Sequence, residues 1–199
     1  MARIAILVSG EGRLMRQTLD LAFFHEIEGL EVAGVISSSG SAPALTCARS
    51  FSVPSYVIED QLFPNSTSFG MALLNMLKDI DTDYVIIDDF LPDLGPAARG
   101  YYGKIVGIFP ALVPAFENLS VCQVIPETIA RGVTVTGATA YMADENGRIG
   151  RIIAQSPLDV LPGDTAQTLA ARMFAEIEVP LIKKILLACC GQRNAAEEH

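Results

Sequence analysis

The opening of the chain constrains its fold more than any other segment. A near-continuous apolar run, Arg3–Ser9, breaks at Gly10-Glu11-Gly12 and passes directly into an amphipathic stretch, Arg13–Phe24, carrying Leu14, Leu19, Ala22 and Phe23. Strand, glycine turn and helix in that order form the first unit of an α/β protein. The pattern then repeats. Strands are expected at Leu30–Ser37 and Pro54–Ile58, with a short helix, Ala42–Phe51, between them. A longer helix, Thr67–Ile80, places Met71, Leu74, Met76 and Leu77 in its pattern, and buried strands follow at Tyr84–Asp88 and Lys104–Phe109. This alternation predicts a doubly wound, mostly parallel sheet with crossover helices.

The pattern changes after that point. Val133–Met142 and Gly150–Ser156 read as two strands joined through Asp144-Glu145-Asn146-Gly147. Asn-Gly is a strong hairpin signal, so an antiparallel pair should follow the parallel half. Pro157 is expected to end the second strand. Thr165–Leu187 reads as the closing helix, capped by Asp164-Thr165, with a kink or break at Pro180. Residues 1–191 are therefore expected to form one domain, and 192–199 a frayed polar tail.

Composition narrows the function classes. With 199 residues, half of them hydrophobic and 19% charged, the chain can bury one sizeable core. A formal charge of −9 disfavours a broad nucleic-acid surface, which needs clustered cations. Prolines 110 and 114 interrupt the apolar run Ile105–Phe116, and no stretch reaches the roughly 18 residues of a spanning helix. No export signal is evident at Met1–Val8, so a cytoplasmic location is expected, with Cys47, Cys122, Cys189 and Cys190 as free thiols. Neither a C-x-x-C pair nor a histidine cluster is present, which argues against a zinc site. His25 is expected to pack at a helix end, and His199 is the last residue, so no histidine base stands out.

Two segments carry candidate chemistry. Gly10-Glu11-Gly12-Arg13 lies where a strand enters a helix. Backbone amides and the helix N-terminus there favour an anion, and Arg13 adds a cation, which suits a phosphorylated small molecule. A tight structural turn would use the same glycines. Asp88 and Asp89 end an apolar strand at the edge where doubly wound sheets bind ligands. They are either functional carboxylates or a strand end and helix cap, with Asp93 nearby.

Several ordered motifs resemble the phosphoribosylglycinamide formyltransferase family. Ile6-Leu7-Val8-Ser9-Gly10-Glu11-Gly12 is similar to its first strand and phosphate loop, and Val32–Ser37 to its second strand. Gly107-Ile108-Phe109-Pro110-Ala111-Leu112-Val113-Pro114 resembles the motif Asn-Ile-His-Pro-Ser-Leu-Leu-Pro. Gly132–Thr139 resembles Gly-x-x-x-Thr-Gly-x-Thr, and Leu161–Thr165 with Leu169–Arg172 resembles the family's C-terminal segment. The resemblance implies a formyltransferase fold. It also implies transfer of a formyl group from 10-formyltetrahydrofolate to the amine of glycinamide ribonucleotide, in purine synthesis.

Departures fall where the resemblance places that chemistry. Gly107 stands for the motif Asn, Phe109 for the motif His and Arg148 for the catalytic Asp, while Tyr141 replaces the usual His of the hairpin strand. The folate-side loop, usually Gly-Phe-Met-Arg-Ile-Leu, reads Asp89-Phe90-Leu91-Pro92-Asp93-Leu94. Arg13-Leu14 replaces Ser-Asn in the phosphate loop, and the glycine-rich stretch after the Pro motif shrinks to Ala115–Val121. Glu176 or Glu178 would hold ribose hydroxyls. Gly107 and Phe109 bring no polar side chain, and Arg148 cannot accept a proton at neutral pH. Two expectations follow. The chain is either a degenerate member that binds a phosphorylated small molecule, a protein partner or a second copy of itself as a homodimer, or a transferase whose groups have moved to Arg148, Tyr141 or Asp144. In the first case Phe109, flanked by Leu91 and Tyr141, should plug the cleft.

Overall fold

The computed structural model describes residues 1–197, and side chains through residue 191. Seven strands form one sheet in the order β3-β2-β1-β4-β5-β6-β7. These are β1 (Ala2–Val8), β2 (Leu30–Ser37), β3 (Ser55–Val57), β4 (Tyr84–Asp88), β5 (Ile105–Phe109), β6 (Val135–Ala143) and β7 (Ile149–Asp159). The first five pair in parallel, while β5–β6 and β6–β7 are antiparallel. The expected mixed α/β sheet with a closing hairpin is what the chain forms.

Strand β1 shows why both faces must be covered. Ile4, Ile6 and Val8 point into one core with helices α1 (Arg13–Phe23) and α7 (Val179–Glu197). Ala5 and Leu7 point into the other, against α3 (Ser66–Asp79) and α4 (Pro96–Gly100). Alternation along a strand thus feeds two layers, and an apolar residue is needed at every position. Helix α2 (Pro43–Ser50) adds Ala44 and Ala48 to the first core. Two short helices were not evident from the sequence. Helix α4 starts on Pro96, and α5 (Val121–Ala130) is opened by a capping box between Ser120 and Gln123. Helix α5 occupies most of the space after the Pro motif.

Two expectations about proline are corrected. Strand β7 does not end at Pro157, which pairs opposite Gly137 and is followed by two more strand residues. It lies on the sheet's last strand, where a missing amide costs no ladder bond. Nor does Pro180 break the closing helix. Helix α6 (Ala166–Arg172) runs into a π-helical turn, Met173–Glu178, which leads into α7 with Pro180 in its first turn. The wider turn falls just before a residue with no N–H to offer. Helix α7 continues to Glu197, past the expected end at Leu187; residues 198–199 lie outside the described residues, and with them His199 and the end of the expected tail. No helix of the described residues is long and apolar enough to cross a membrane.

Three loops at the carboxyl ends of the strands are tied together. Ser9 Oγ pairs with Ser38 Oγ at 2.6 Å and accepts from the amide of Leu91 at 2.9 Å. Phe90 in the same loop stacks on buried Phe69 of α3, with centroids 6.2 Å apart. Phe69→Ala should therefore cost about 3–5 kcal/mol and loosen the loop that carries Asp89. Urea denaturation, together with amide exchange at Phe90 and Leu91, measures both effects.

Candidate functional site

Two adjoining cavities open along this edge of the sheet. The larger, about 1330 Å³, lies between the 89–95 loop, the Pro motif and the β6–β7 turn. The smaller, about 380 Å³, lies between α1, α5 and the π-helical turn. Asp89, Ile108, Val121 and Cys122 line both. The cleft therefore has two compartments, with Asp89 as the ionisable group at their junction.

Asp88 organises the floor. It is 4% exposed, and its carboxylate accepts from the amide of Met15 at 2.8 Å. Gly12, the residue before α1, supplies no side-chain cap and sits at φ 70° with Ala44 and Met15 crowding its Cα, a place for glycine. Asp88 thus caps α1 from across the sheet. Of the two roles open to it, the helix cap is the one observed, although it is buried rather than solvated. Burial pushes its carboxyl up to about 6, against the pull of that hydrogen bond.

Asp89 takes a left-handed conformation, φ 52°. Asp is one of the few side chains that tolerate it. Its carboxyl is raised by partial burial, and the Arg13 guanidinium opposes the shift. Arg13 lies 4.2 Å over the Phe174 ring and lines the small compartment. Glu178 lines the same wall, and burial pushes its carboxyl up to about 7, with Asp88 and Asp89 adding to the rise. Glu176 faces away and pairs with Arg172 at 3.3 Å. Two residues apart on one helical turn, the two carboxyls point to opposite sides of it.

The predicted residues divide cleanly. Gly10, Asp89, Phe90 and Leu91 meet Phe109, Tyr141 and Arg148 on the large compartment. Arg13 faces the small one, while Glu11, Gly12, Glu176 and Asp144 line neither. Asp144 instead holds the hairpin turn, accepting from the amides of Asn146 and Arg148 at 2.9 Å each. Its carboxyl is lowered mainly by the Arg148 amide. His25 follows the end of α1 in a left-handed conformation, its amide donating to the carbonyl of Ala22, and its side chain is exposed rather than packed as expected.

Phe109 is 5% exposed and packs with Val124, Phe116, Leu119 and Tyr141. It forms a wall of the large compartment and leaves it open, so the plug is not what the structure shows. Leu91 does not pack on it, being 79% exposed. Ile108 points to the opposite core, as strand alternation requires. Thr139 fixes the turn that follows, donating to the carbonyl of Ala111 at 2.6 Å and accepting from Val113 at 3.0 Å.

Gly107 and Tyr141 face one another across β5 and β6. A Cβ on Gly107 would stand 2.6 Å from the Tyr141 hydroxyl and 2.7 Å from the adjacent ring carbon. The tyrosine therefore occupies the space that any side chain at 107 would need. Burial, reinforced by the charge of Asp89, pushes its phenol up to about 12, so it stays a protonated donor at neutral pH. Arg99 and Cys122 join the site without a sequence signal that singled them out, while Glu178, named beside Glu176, is the one of that pair that lines it.

The comparisons with known proteins fit this geometry. The formyl transferase family model matches residues 2–185. The chain belongs to the formyl transferase family. It is 32% identical over 173 residues to a phosphoribosylglycinamide formyltransferase of Mycobacterium tuberculosis, covering 86% of this chain and 78% of that protein. It is 33% identical over 174 residues to the trifunctional purine biosynthetic protein adenosine-3 of Bos taurus, but spans only 17% of that protein's length. Among solved structures, glycinamide ribonucleotide transformylase 1 from Symbiobacterium toebii superposes with a TM-score of 0.87 at 31% identity, covering 96% of this chain and 89% of that one. The phosphoribosylglycinamide formyltransferase from Bacillus halodurans gives 0.83 at 26% identity, covering 96% and 94%.

Two predictions arise from the site. Asp88 and Glu178 bind protons more tightly folded than unfolded, so their contribution to stability is full at about pH 4 and lost as pH rises through 6 and 7. Glu178→Gln should gain on the wild type by roughly 1–3 kcal/mol between pH 5 and pH 8. An unchanged difference in chemical denaturation at the two pH values contradicts this. Gly107→Ala should cost about 1–3 kcal/mol through overpacking, and most of that loss should disappear in a Tyr141→Ala background. Additive losses in the double-mutant cycle would show that the two residues do not share one space.

Proposed function

We propose that the protein is a group-transfer enzyme that holds two small molecules in adjoining compartments, with a reaction centre rebuilt from that of phosphoribosylglycinamide formyltransferases. The observation that carries this reading is the open two-compartment cleft with Asp89 at the junction. Transfer between two ligands requires such a meeting point, at which reacting atoms are held close.

The large compartment suits a flat, partly apolar ligand with carboxylates at one end. Phe90, Leu91 and Leu94 offer apolar surface, and Arg99 and Arg148 offer cations. These residues fit a reduced folate such as 10-formyltetrahydrofolate, which would supply a one-carbon unit. The small compartment sets three carboxyls, Asp88, Asp89 and Glu178, against one guanidinium. It therefore suits an acceptor that brings an amine. A phosphate on that acceptor would be received by Arg13 rather than by the carboxyl wall.

Glycinamide ribonucleotide should be a poor acceptor. Gly107 and Phe109 neither donate a hydrogen bond nor carry a proton, and loss of one oxyanion donor costs on the order of 100- to 1,000-fold in rate. A second reading, ligand binding without chemistry, is favoured by the apolar wall that Phe109 forms. The purine-biosynthetic setting of the relatives and the free cysteines fit a cytoplasmic protein.

The test combines calorimetry and product assay. Wild-type protein is titrated with 10-formyltetrahydrofolate, then supplied with glycinamide ribonucleotide and a panel of other primary amines. The expected result is folate binding with amine-dependent loss of the formyl group. Transfer to glycinamide ribonucleotide should run at least about 100-fold slower than in a relative that carries the Asn-x-His motif. Binding without formyl loss to any amine sustains the second reading, and rates equal to that relative overturn it together with the expectation that glycinamide ribonucleotide is a poor acceptor.

A further inference from the structure

We propose that Asp89 is the catalytic base of this cleft and that the Tyr141 hydroxyl is the hydrogen-bond donor for the group being transferred. The inference rests on the group-transfer reading above and assigns its two central roles. Three independent observations converge on these residues.

The first is position. Asp89 lines both compartments, so it can meet an acceptor on one side and a donor on the other. The second is backbone conformation. Asp89 holds φ 52° directly after β4, where glycine would be the easier residue. Strain kept at a ligand-binding edge points to a side chain needed there. The third is the phenol. Tyr141 is largely enclosed, lines the large compartment with Asp89 and feels its charge, and no hydrogen bond from its hydroxyl is found among the described residues. A protonated donor left without a partner is set up to be completed by a ligand. Its seat depends on the missing side chain at Gly107, so the two positions act as one built feature.

The groups around Asp89 favour the assignment. Arg13 on α1 opposes it, Asp88 precedes it on β4, Glu178 faces it from the π-helical turn and Tyr141 from β6. The carboxyls disfavour a further negative charge, and so favour uptake of a proton by Asp89.

The step balances as follows. The neutral amine of the acceptor attacks the carbonyl carbon of the donor's acyl group. A C–N bond forms, and the carbonyl π pair moves to oxygen, which accepts from the Tyr141 hydroxyl. The Asp89 carboxylate removes one proton from the new ammonium nitrogen. The carbonyl re-forms as the bond to the donor's leaving nitrogen breaks, and that nitrogen takes the proton from Asp89. The carboxylate is regenerated, and no co-reactant is needed.

The experiment uses the full chain with 10-formyltetrahydrofolate as donor probe and, as acceptor probe, glycinamide ribonucleotide or the best amine of the panel above. Wild type, Asp89→Asn and Tyr141→Phe are compared by calorimetry for each probe and by single-turnover formyl transfer. Asn tolerates the left-handed conformation, and Phe keeps the ring in its seat. Asp89→Asn should lower acceptor affinity by about tenfold or more and transfer by roughly 100-fold, while folate affinity stays within about twofold. Tyr141→Phe should weaken folate binding and transfer with acceptor binding unchanged. Variants that match the wild type in both readouts overturn the assignment. If the wild type binds both probes and transfers nothing, the transferase reading fails while the binding arms still decide which ligand each residue meets. If neither probe binds, both proposals fall.

Discussion

The buried carboxylate of Asp88 joins the middle of the sheet to the first helix, and the site is arranged around that joint. Strand β4 lies beside β1, and Asp88 pairs with Val8 at their common end. From there it reaches the amide of Met15, in a helix whose preceding residue has no capping side chain. An anion at a helix N-terminus is stabilised by unpaired amides and the helix dipole, yet burial raises its carboxyl to about 6. The interaction therefore holds the fold while keeping a titratable group in the floor of the cleft. It also fixes the next residue, Asp89, at the junction of the two compartments.

The wall formed by Gly107, Tyr141 and Phe109 is filled rather than hollow. Random loss of a polar side chain at 107 would leave a void, and voids cost stability through lost contacts. Here the space is filled by Tyr141, whose hydroxyl lies 2.6 Å from the position of the missing Cβ. Phe109 likewise packs against Val124 and Phe116 rather than standing in the opening. Both changes keep the wall close-packed and leave the cleft open. Side chains replaced together in this way conserve volume while changing which polar atoms face a ligand.

Most of the fold was legible because its signals are local. The apolar runs gave β2 and β4 with their observed ends, and Asn146-Gly147 marked the hairpin turn. The failures have physical causes. Helix α5 carries Pro126 inside it and begins in a stretch read as a substrate loop. Pro157 was taken as a strand end because its position on the outermost strand is a tertiary fact. In the site, Asp89, Tyr141 and Arg148, which the motif resemblance singled out, line one compartment. Glu176 and Glu178 both stood as candidates, and that Glu178 is the one at the cleft depends on how the helix docks, which no local pattern records. That Asp88 and Asp89 serve different elements follows from strand alternation, but which of them reaches the cleft junction does not.

The distribution of charge bears on what can enter. The chain carries a net charge of −9, which repels anions at long range. Yet guanidinium groups stand at the cleft, Arg99 and Arg148 on the large compartment and Arg13 on the small. Asp89, Asp93 and Glu117 line the large compartment as well, so these cations act only on the parts of a ligand nearest them, within a Debye length of about 8 Å. An anionic ligand would be held at its ends by such groups, with its reacting centre directed toward Asp89 and Tyr141. The carboxyls of Asp88 and Glu178 then act oppositely on the acceptor side, because they accept hydrogen bonds from the N–H groups of an amine and repel a second anion.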